Sequence, residues 1–462
     1  MGYCYGFMLG AQVQHTYTVF VSSVLKKWWE LAVLGAFLDY QWQQHLSLAL
    51  PTAMRAELEG MARGGAAAGV DDVARYVGRA TVVSNFPGNV EEEIELLLLK
   101  ELVPPPPVAS GGGGSGSGGG DGGAGGIFAA AAVDVIEANI TRHDVRSFAE
   151  RVATLRKLCS QWAAWGERVD SRNALLGGRN LDWAPNTGIN KHKLITVWHS
   201  DDVAHSVASF GFTGLYGMLA GVNSAHLALT ESGFDTVVDT FKGFPWIWRL
   251  RYVAERAATL DDAMRVWNST HNTLAMFHGL FSAADARNKL PHAAAIVEVM
   301  ANYTAYFTDN DAREAALRAP HNHSLHMGAP LPFAVWRTNH AYDPQLLREA
   351  LHVNTYDSDS SIRYRIVAKY LRDRVAPLDT TSAVNITSII ADKGGEHFFE
   401  CRENNDGLNI LSVTFAFATD AHSGNRAYVA WGRGAGDTWR PACCGTYVQI
   451  DLDELFTPLQ VR

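Results

Sequence analysis

LRKLCSQWAAWG, residues 155–166, decides how the rest of the chain is read. A cysteine stands about a third of the way along, directly after a leucine, and opens a short, alternating, aromatic-rich run. On its own, Cys159 reads more readily as a buried apolar thiol than as a reactive one. The other reading is a nucleophile that becomes an N-terminus when the Leu158–Cys159 bond is cut.

The totals bound the answer. The chain has 462 residues, 47% hydrophobic, with 13 Trp, enough for a sizeable core in one large or two medium domains. A formal net charge of -9 gives no basic footprint and argues against a nucleic-acid partner. No apolar run reaches the roughly 18 residues that span a bilayer. WWELAVLGAFL, 28–38, contains Glu30 and is expected to be a helix packed in a core.

Five N-x-Ser/Thr sequons, at Asn139, Asn268, Asn302, Asn322 and Asn385, predict glycosylation and hence a secreted or lysosomal protein. The opening MGYCYGFMLG lacks the basic and long apolar regions of a signal peptide. The leader is therefore expected to precede this sequence, with a cytosolic location as the alternative. There are five cysteines, an odd count that leaves at least one thiol unpaired in an oxidising compartment. With Cys159 free, a bridge from Cys4 to Cys401, Cys443 or Cys444 is an expectation. No Cys/His spacing suggests zinc. The alternating His321, His323 and His326 are read as a loop rather than metal ligands, and no cofactor is expected.

The sequence divides at PPPPVASGGGGSGSGGGDGGAGG, 104–126, where 12 of the last 16 residues are glycine. Such a segment buries no apolar surface and is a flexible linker. Residues 1–103 are rich in helix formers, and residues 127–158 lead to the cysteine. From Cys159 to the end the texture changes. CSQWAAWG, LITVWHS and HSVASFGF are of strand length, and GMLAGVNSAHLALTESG reads as strand, turn, strand. FPWIWRLRYVAERA and TLDDAMRVWNST read as helices, the second capped by Thr259. LNILSVTFAFATD, RAYVAWGRG and GTYVQIDL are strands again. Helices, strands, helices and strands in that order predict an α+β protein with antiparallel sheets.

Downstream of Cys159, LLGGRNLDW places Arg179 and Asp182 three apart. A straight strand would turn them to opposite sides; a bend would bring both to the cysteine. There Asp182 could hold an α-ammonium group and Arg179 favour thiolate over thiol. A surface Arg–Asp pair is the plainer alternative.

The order Cys-Ser…Trp-Gly, then GRNLDW, then GLYGMLAGVNSAHLALTESG resembles the N-terminal nucleophile amidohydrolases, in particular the penicillin acyltransferase and acid ceramidase branch. YGFMLGAQV and MRAELEGMARGGAAAGVDDVARY are similar to its pro-segment; FPWIWRLRYVAERAATLDDAMRVW, WRTNHAYDP and SSIRYRIVAKYL are similar to its later segments. The resemblance implies an αββα four-layer sandwich, made as a precursor and cut into an α chain (1–158) and a β chain (159–462) that stay associated. It implies Cys159 as nucleophile, with its own new α-amine as base. Asp182 would orient that amine and Arg179 support the thiolate. Asn223 and Asn339 would face the oxyanion, each such donor being worth about 3 kcal/mol. Arg363 would stand near the Asn, with Arg365 an alternative register.

The implied substrate is a small molecule with a linear, non-peptide amide bond. Phe210, Phe212, Tyr216, Phe244, Trp246 and Trp248 are candidates to line an apolar acyl pocket, or else core. Two other readings stay open: a papain-like hydrolase with His340 as base, and a secreted glycoprotein that keeps the fold for binding.

Overall fold

In the computed structural model, residues 1–25, 28–86, 158–392, 401 and 407–457 are described. The 104–126 linker, the 127–157 stretch and the Asn139 sequon lie outside them. β1 (Leu158–Trp165) begins one residue before the cysteine and is an interior strand. Its sheet runs β12 (Ala334–Arg337), β1, β2 (Asn173–Asp182), β13 (Asn409–Ala418), β14 (Arg426–Trp431), β15 (Val448–Asp451), antiparallel throughout. A second antiparallel sheet takes its strands in chain order. They are β3 (Lys193–Trp198), β4 (Val207–Phe212), β5 (Ala220–Asn223), β6 (Leu227–Gly233), β7 (Met276–Ser282), β8 (Ala294–Met300) and β9 (Tyr303–Phe307).

The sheets pack face to face through β1 and β2 against β6 and β7. β1 serves two layers because successive side chains point to opposite faces. Gln161 reaches Ser232 on the second sheet (2.9 Å), and Trp162 reaches Thr387 on the outer helix (3.0 Å). That helix lies so close over β2 that a Cβ at Gly178 would come 2.2 Å from the Thr387 hydroxyl. Gly178 thus sets the spacing between helix and sheet, while Gly177 faces Phe281 of the second sheet.

α1 (Gly2–Val24), α2 (Trp28–Gln44), α3 (Thr52–Ala67) and α4 (Val73–Ser84) pack on one another. α5 (Trp246–Ala254) and α6 (Leu260–Asn268) cover β6 and β7, α7 (Asp359–Asp373) lies by β12, and α8 (Thr380–Ile389) covers β2 and β13. The result is an αββα sandwich with helices added at the front. Thr259 caps α6 as expected, accepting from the Asp262 N–H at 3.2 Å. Leu34, Phe37 and Leu38 make the WWELAVLGAFL segment a core helix. No described helix is long and apolar enough to cross a membrane.

The front helices are fastened by polar contacts as well as packing. Glu57 on α3 accepts two hydrogen bonds from Arg251, each 2.7 Å, and one from the Tyr216 hydroxyl. Trp246 and Trp248 donate their indole N–H groups to Ser84 (2.7 Å) and Thr81 (3.1 Å) on α4. Of the two readings of the six aromatic residues, pocket lining or core, burial supports core. Phe210, Phe212, Tyr216, Phe244, Trp246 and Trp248 are all at most 4% exposed. They form core and the seam with the front helices rather than an open pocket, because aromatic rings with a polar tip suit such seams.

The cysteine expectation also changes. Cys401 is bonded to Cys444, both in the C-terminal part, while Cys4 is an exposed free thiol on α1. No disulfide through Cys4 links the front helices to the rest.

Candidate active site

Cys159 is fully buried, and its thiol faces the second sheet. Its Sγ lies 3.9 Å from Arg179 Nη2 and 3.9 Å from Glu231 Oε2. Arg179 and Glu231 form an ion pair, and both are buried. Burial pushes the thiol's pKa up, while the Arg179 charge and backbone hydrogen bonds from Gly233 and Asp182 act against it. The thiol is therefore held neutral, with a cation in place to receive thiolate.

The backbone of Cys159 is held from the other side. Its N–H donates to Asn339 Oδ1 at 2.9 Å, and its carbonyl accepts from Arg363 Nη1 at 2.6 Å. Arg363 also reaches Asn339 Oδ1 (2.9 Å) and Asp359 (2.7 Å). Asn339 follows β12, the strand beside β1, and Arg363 stands on the second turn of α7, whose first turn is capped by Ser358. Arg365 turns away to the Tyr356 carbonyl and ring. Of the two arginines, it is Arg363 that touches the Cys159 backbone and Asn339.

Arg179 and Asp182 do not reach the cysteine by a bend. β2 runs straight through both, so they face opposite sides, Arg179 to the thiol and Asp182 to the helix side. Asp182 is paired in register with Leu158, the residue before the cysteine. Its Oδ1 accepts from Asn409 Nδ2 (2.7 Å) and the Asp392 N–H (3.3 Å), while Oδ2 is buried with no hydrogen-bond partner among the described residues. Burial foremost, with the Asp392 charge adding, pushes this carboxyl up to about 7; Arg363 opposes them.

Asn223 does not join the cluster. Its amide N–H groups donate to the carbonyls of Ala254 and Ala257, and its Oδ1 accepts from the N–H groups of Ala225 and Leu227. All of its capacity goes into the β5–β6 turn and the end of α5. In Asn339, Nδ2 is likewise engaged, with the Gly233 carbonyl at 2.8 Å.

His340 is buried between Ser360 (2.8 Å) and the Tyr342 hydroxyl (2.8 Å), and burial pushes it down to about 3. Cys159 also opens a strand, not a helix, so the papain-like reading falls. His321, His323 and His326 lie exposed on the hairpin of β10 (Arg318–Ala319) and β11 (Asn322–His326).

Two partners of the site went unread in the sequence. Glu231 was signalled by a carboxylate inside the otherwise uncharged strand LALTESG, since a buried charge is retained only where it is paired. Asn409 gave no signal.

Residues 169–434 match the family described as acyl-coenzyme A:6-aminopenicillanic acid acyl-transferase, more than half of the chain. The chain belongs to this family. It is an enzyme of the acyltransferase class that the family's description names. The family match begins ten residues past Cys159. Among solved structures, an N-acylethanolamine-hydrolyzing acid amidase ortholog from Caenorhabditis elegans is 13% identical, with a TM-score of 0.35 over 55% of this chain and 92% of its own. A mutant of the conjugated bile acid hydrolase from Clostridium perfringens is 13% identical, with a TM-score of 0.38 over 64% of this chain and 94% of its own. No curated protein matches the sequence.

Proposed function

We propose that the chain is a precursor that cuts itself between Leu158 and Cys159. The cut protein then hydrolyses or transfers acyl groups at linear, non-peptide amide bonds. The observation that carries this reading is the Cys159 N–H held by Asn339 Oδ1, with the thiol of the same residue between Arg179 and Glu231. The hydrogen bond fixes the nitrogen that scission would release as the α-amine.

In processing, Sγ adds to the Leu158 carbonyl and the C–N bond breaks. The nitrogen takes a proton, and water hydrolyses the thioester to a Leu158 carboxylate. In turnover the α-amine takes the thiol proton, Sγ adds to the substrate carbonyl, and the proton passes to the leaving amine. Water or an acceptor amine then releases the acyl group. We assign Asp182 Oδ2 as the acceptor that orients the α-ammonium. That positive charge would draw the carboxyl back down from its raised value. Arg179 supports the thiolate, and Glu231 holds Arg179. Arg363 positions Asn339 and the Cys159 carbonyl.

An apolar acyl group is supported by rings that adjoin Gly233, whose backbone hydrogen-bonds to the Cys159 thiol. Phe234 follows Gly233 and stacks on Phe277 at 5.1 Å. Exposed sequons at Asn268, Asn302, Asn322 and Asn385 support passage through the secretory pathway.

Purified protein should contain chains of 158 and 304 residues, the longer beginning Cys-Ser-Gln-Trp by Edman reading. Cys159→Ala should stay whole and hydrolyse no amide. A wild-type chain that remains single after long incubation at acidic and neutral pH would overturn the reading. Fluorogenic N-acyl amides of rising chain length test the acyl preference; equal rates for acetyl, glutaryl and palmitoyl amides would remove it.

A further inference from the structure

A cavity of about 720 Å³ opens between the loop after β2 (185–193) and the loop after β14 (432–439). Lys191, His192, Lys193 and Arg433 line it, and among the described residues Asp437 is its one carboxylate. Among the described residues, none of Lys191, Lys193 and Arg433 has an ion-pair partner. The cations instead crowd one another. Burial and the Arg433 charge lower the Lys193 pKa; burial, His15 and Lys191 lower that of His192. In a chain of net charge -9 such a concentration of unpaired positive groups is against the general trend.

The walls are built rather than loose. Arg433 and Arg440 exchange backbone hydrogen bonds of 3.0 and 2.8 Å, closing the loop at its base. Gly434 turns inside it with φ of 81°, where a Cβ would strike the Thr438 carbonyl. Lys193 is fixed in β3 opposite Phe212, and the His192 carbonyl accepts from the Thr213 N–H at 2.8 Å. His192 in turn meets His15 of α1 at 2.7 Å.

Both walls spring from the neighbourhood of Asp182. Pro185 comes three residues after it, a reach of at most about 10 Å. On the other side Asn409 holds Asp182, and the carbonyl of the next residue, Ile410, accepts from the Gly432 N–H at 2.9 Å. The geometry points to an anion-binding subsite: this cavity receives a carboxylate, phosphate or sulfonate that the substrate carries several bonds from the amide. It rests on the amidase reading above and narrows its substrate class to amides with a distal anion.

The test uses matched N-acyl amides on the cut enzyme. One is uncharged; the others carry a carboxylate at the far end of the acyl half or of the amine half. Replacing Lys193→Glu together with Arg433→Glu should lower the ratio of kcat/KM for an anionic over the neutral amide at least about tenfold, mainly through KM. Inorganic phosphate should compete with the anionic amide in the wild type and far less in the variant. An unchanged ratio for both anionic amides overturns the subsite. If the cut enzyme turns over no amide, the amidase reading fails by itself. Phosphate titration of Cys159→Ala protein, with and without the two charge reversals, then decides the subsite: weaker binding in the reversed protein supports it, and equal binding overturns it.

Discussion

Two arginines stand at the same level of the first sheet, one on each side of β1. Arg179 on β2 and Arg337 on β12 are both paired in register with Gln161. Both are fully buried, and among the described residues each has one guanidinium nitrogen without a hydrogen bond. Their surroundings differ. Arg337 meets two carboxylates, Glu298 at 2.7 Å and Glu314 at 2.9 Å, and lies over the rings of Tyr342 and Phe307. The two carboxylates raise its pKa against the effect of burial. Arg179 has one carboxylate, Glu231, and a thiol. A buried cation closed off by acids holds two layers together. The same cation beside one acid and one ionisable thiol keeps charge in reserve for chemistry.

The largest expected effect breaks the structural side. Arg337→Met leaves Glu298 and Glu314 buried and uncompensated and should cost about 3–5 kcal/mol, read by urea denaturation of the Cys159→Ala precursor. Adding Glu298→Gln and Glu314→Gln should recover much of it. Retained stability with lost processing would make Arg337 part of the chemistry instead.

Arg179→Met sharpens the other side. The pH at which Cys159 of the cut protein is alkylated should rise by about 1–3 units, as expected on removing an adjacent cation. Arg337→Met should leave that pH in place; an equal shift in both variants would erase the distinction.

Asp182 carries a pH signature in the uncut chain. Its folded pKa is about 7, above the unfolded carboxylate value of about 3.9. Between those values the folded state keeps a proton that the unfolded chain has released. Stability should therefore fall as pH rises through about 4 to 7, by at most about 1.4 kcal/mol per pH unit from this group. Asp182→Asn should flatten the slope, and an unchanged slope would place the titration elsewhere.

The smallest effect separates the neighbours on α7. Arg365→Ala should change stability by no more than about 1 kcal/mol and leave processing intact. Arg363→Ala should stop processing, since it removes a bond to the Cys159 carbonyl.

Much of this was legible in the chain. Runs such as LNILSVTFAFATD alternate or stay apolar over strand lengths, and Thr259 announces α6, because short-range patterning and capping are local properties. The ordered motifs brought Cys159, Arg179, Asp182, Asn339 and Arg363 to attention, and the structure gathers all five around the Leu158–Cys159 bond. Asn223 misled because an asparagine that locks a turn and one that offers an amide to a ligand look alike in sequence.

What the sequence determined by itself is the set of elements and the family, through side-chain periods of two and 3.6 residues and the order of motifs. Which groups meet was decided by tertiary structure. Glu231 reaches Arg179 only because two sheets pack face to face. Asn409 reaches Asp182 only because β13, far along the chain, pairs beside β2. Tyr216, Trp246 and Trp248 became a seam only because the front helices dock on them, and Phe210 became core because it meets Phe415 of the other sheet. Such contacts depend on register between distant segments, where one residue of slip turns a side chain to the other face.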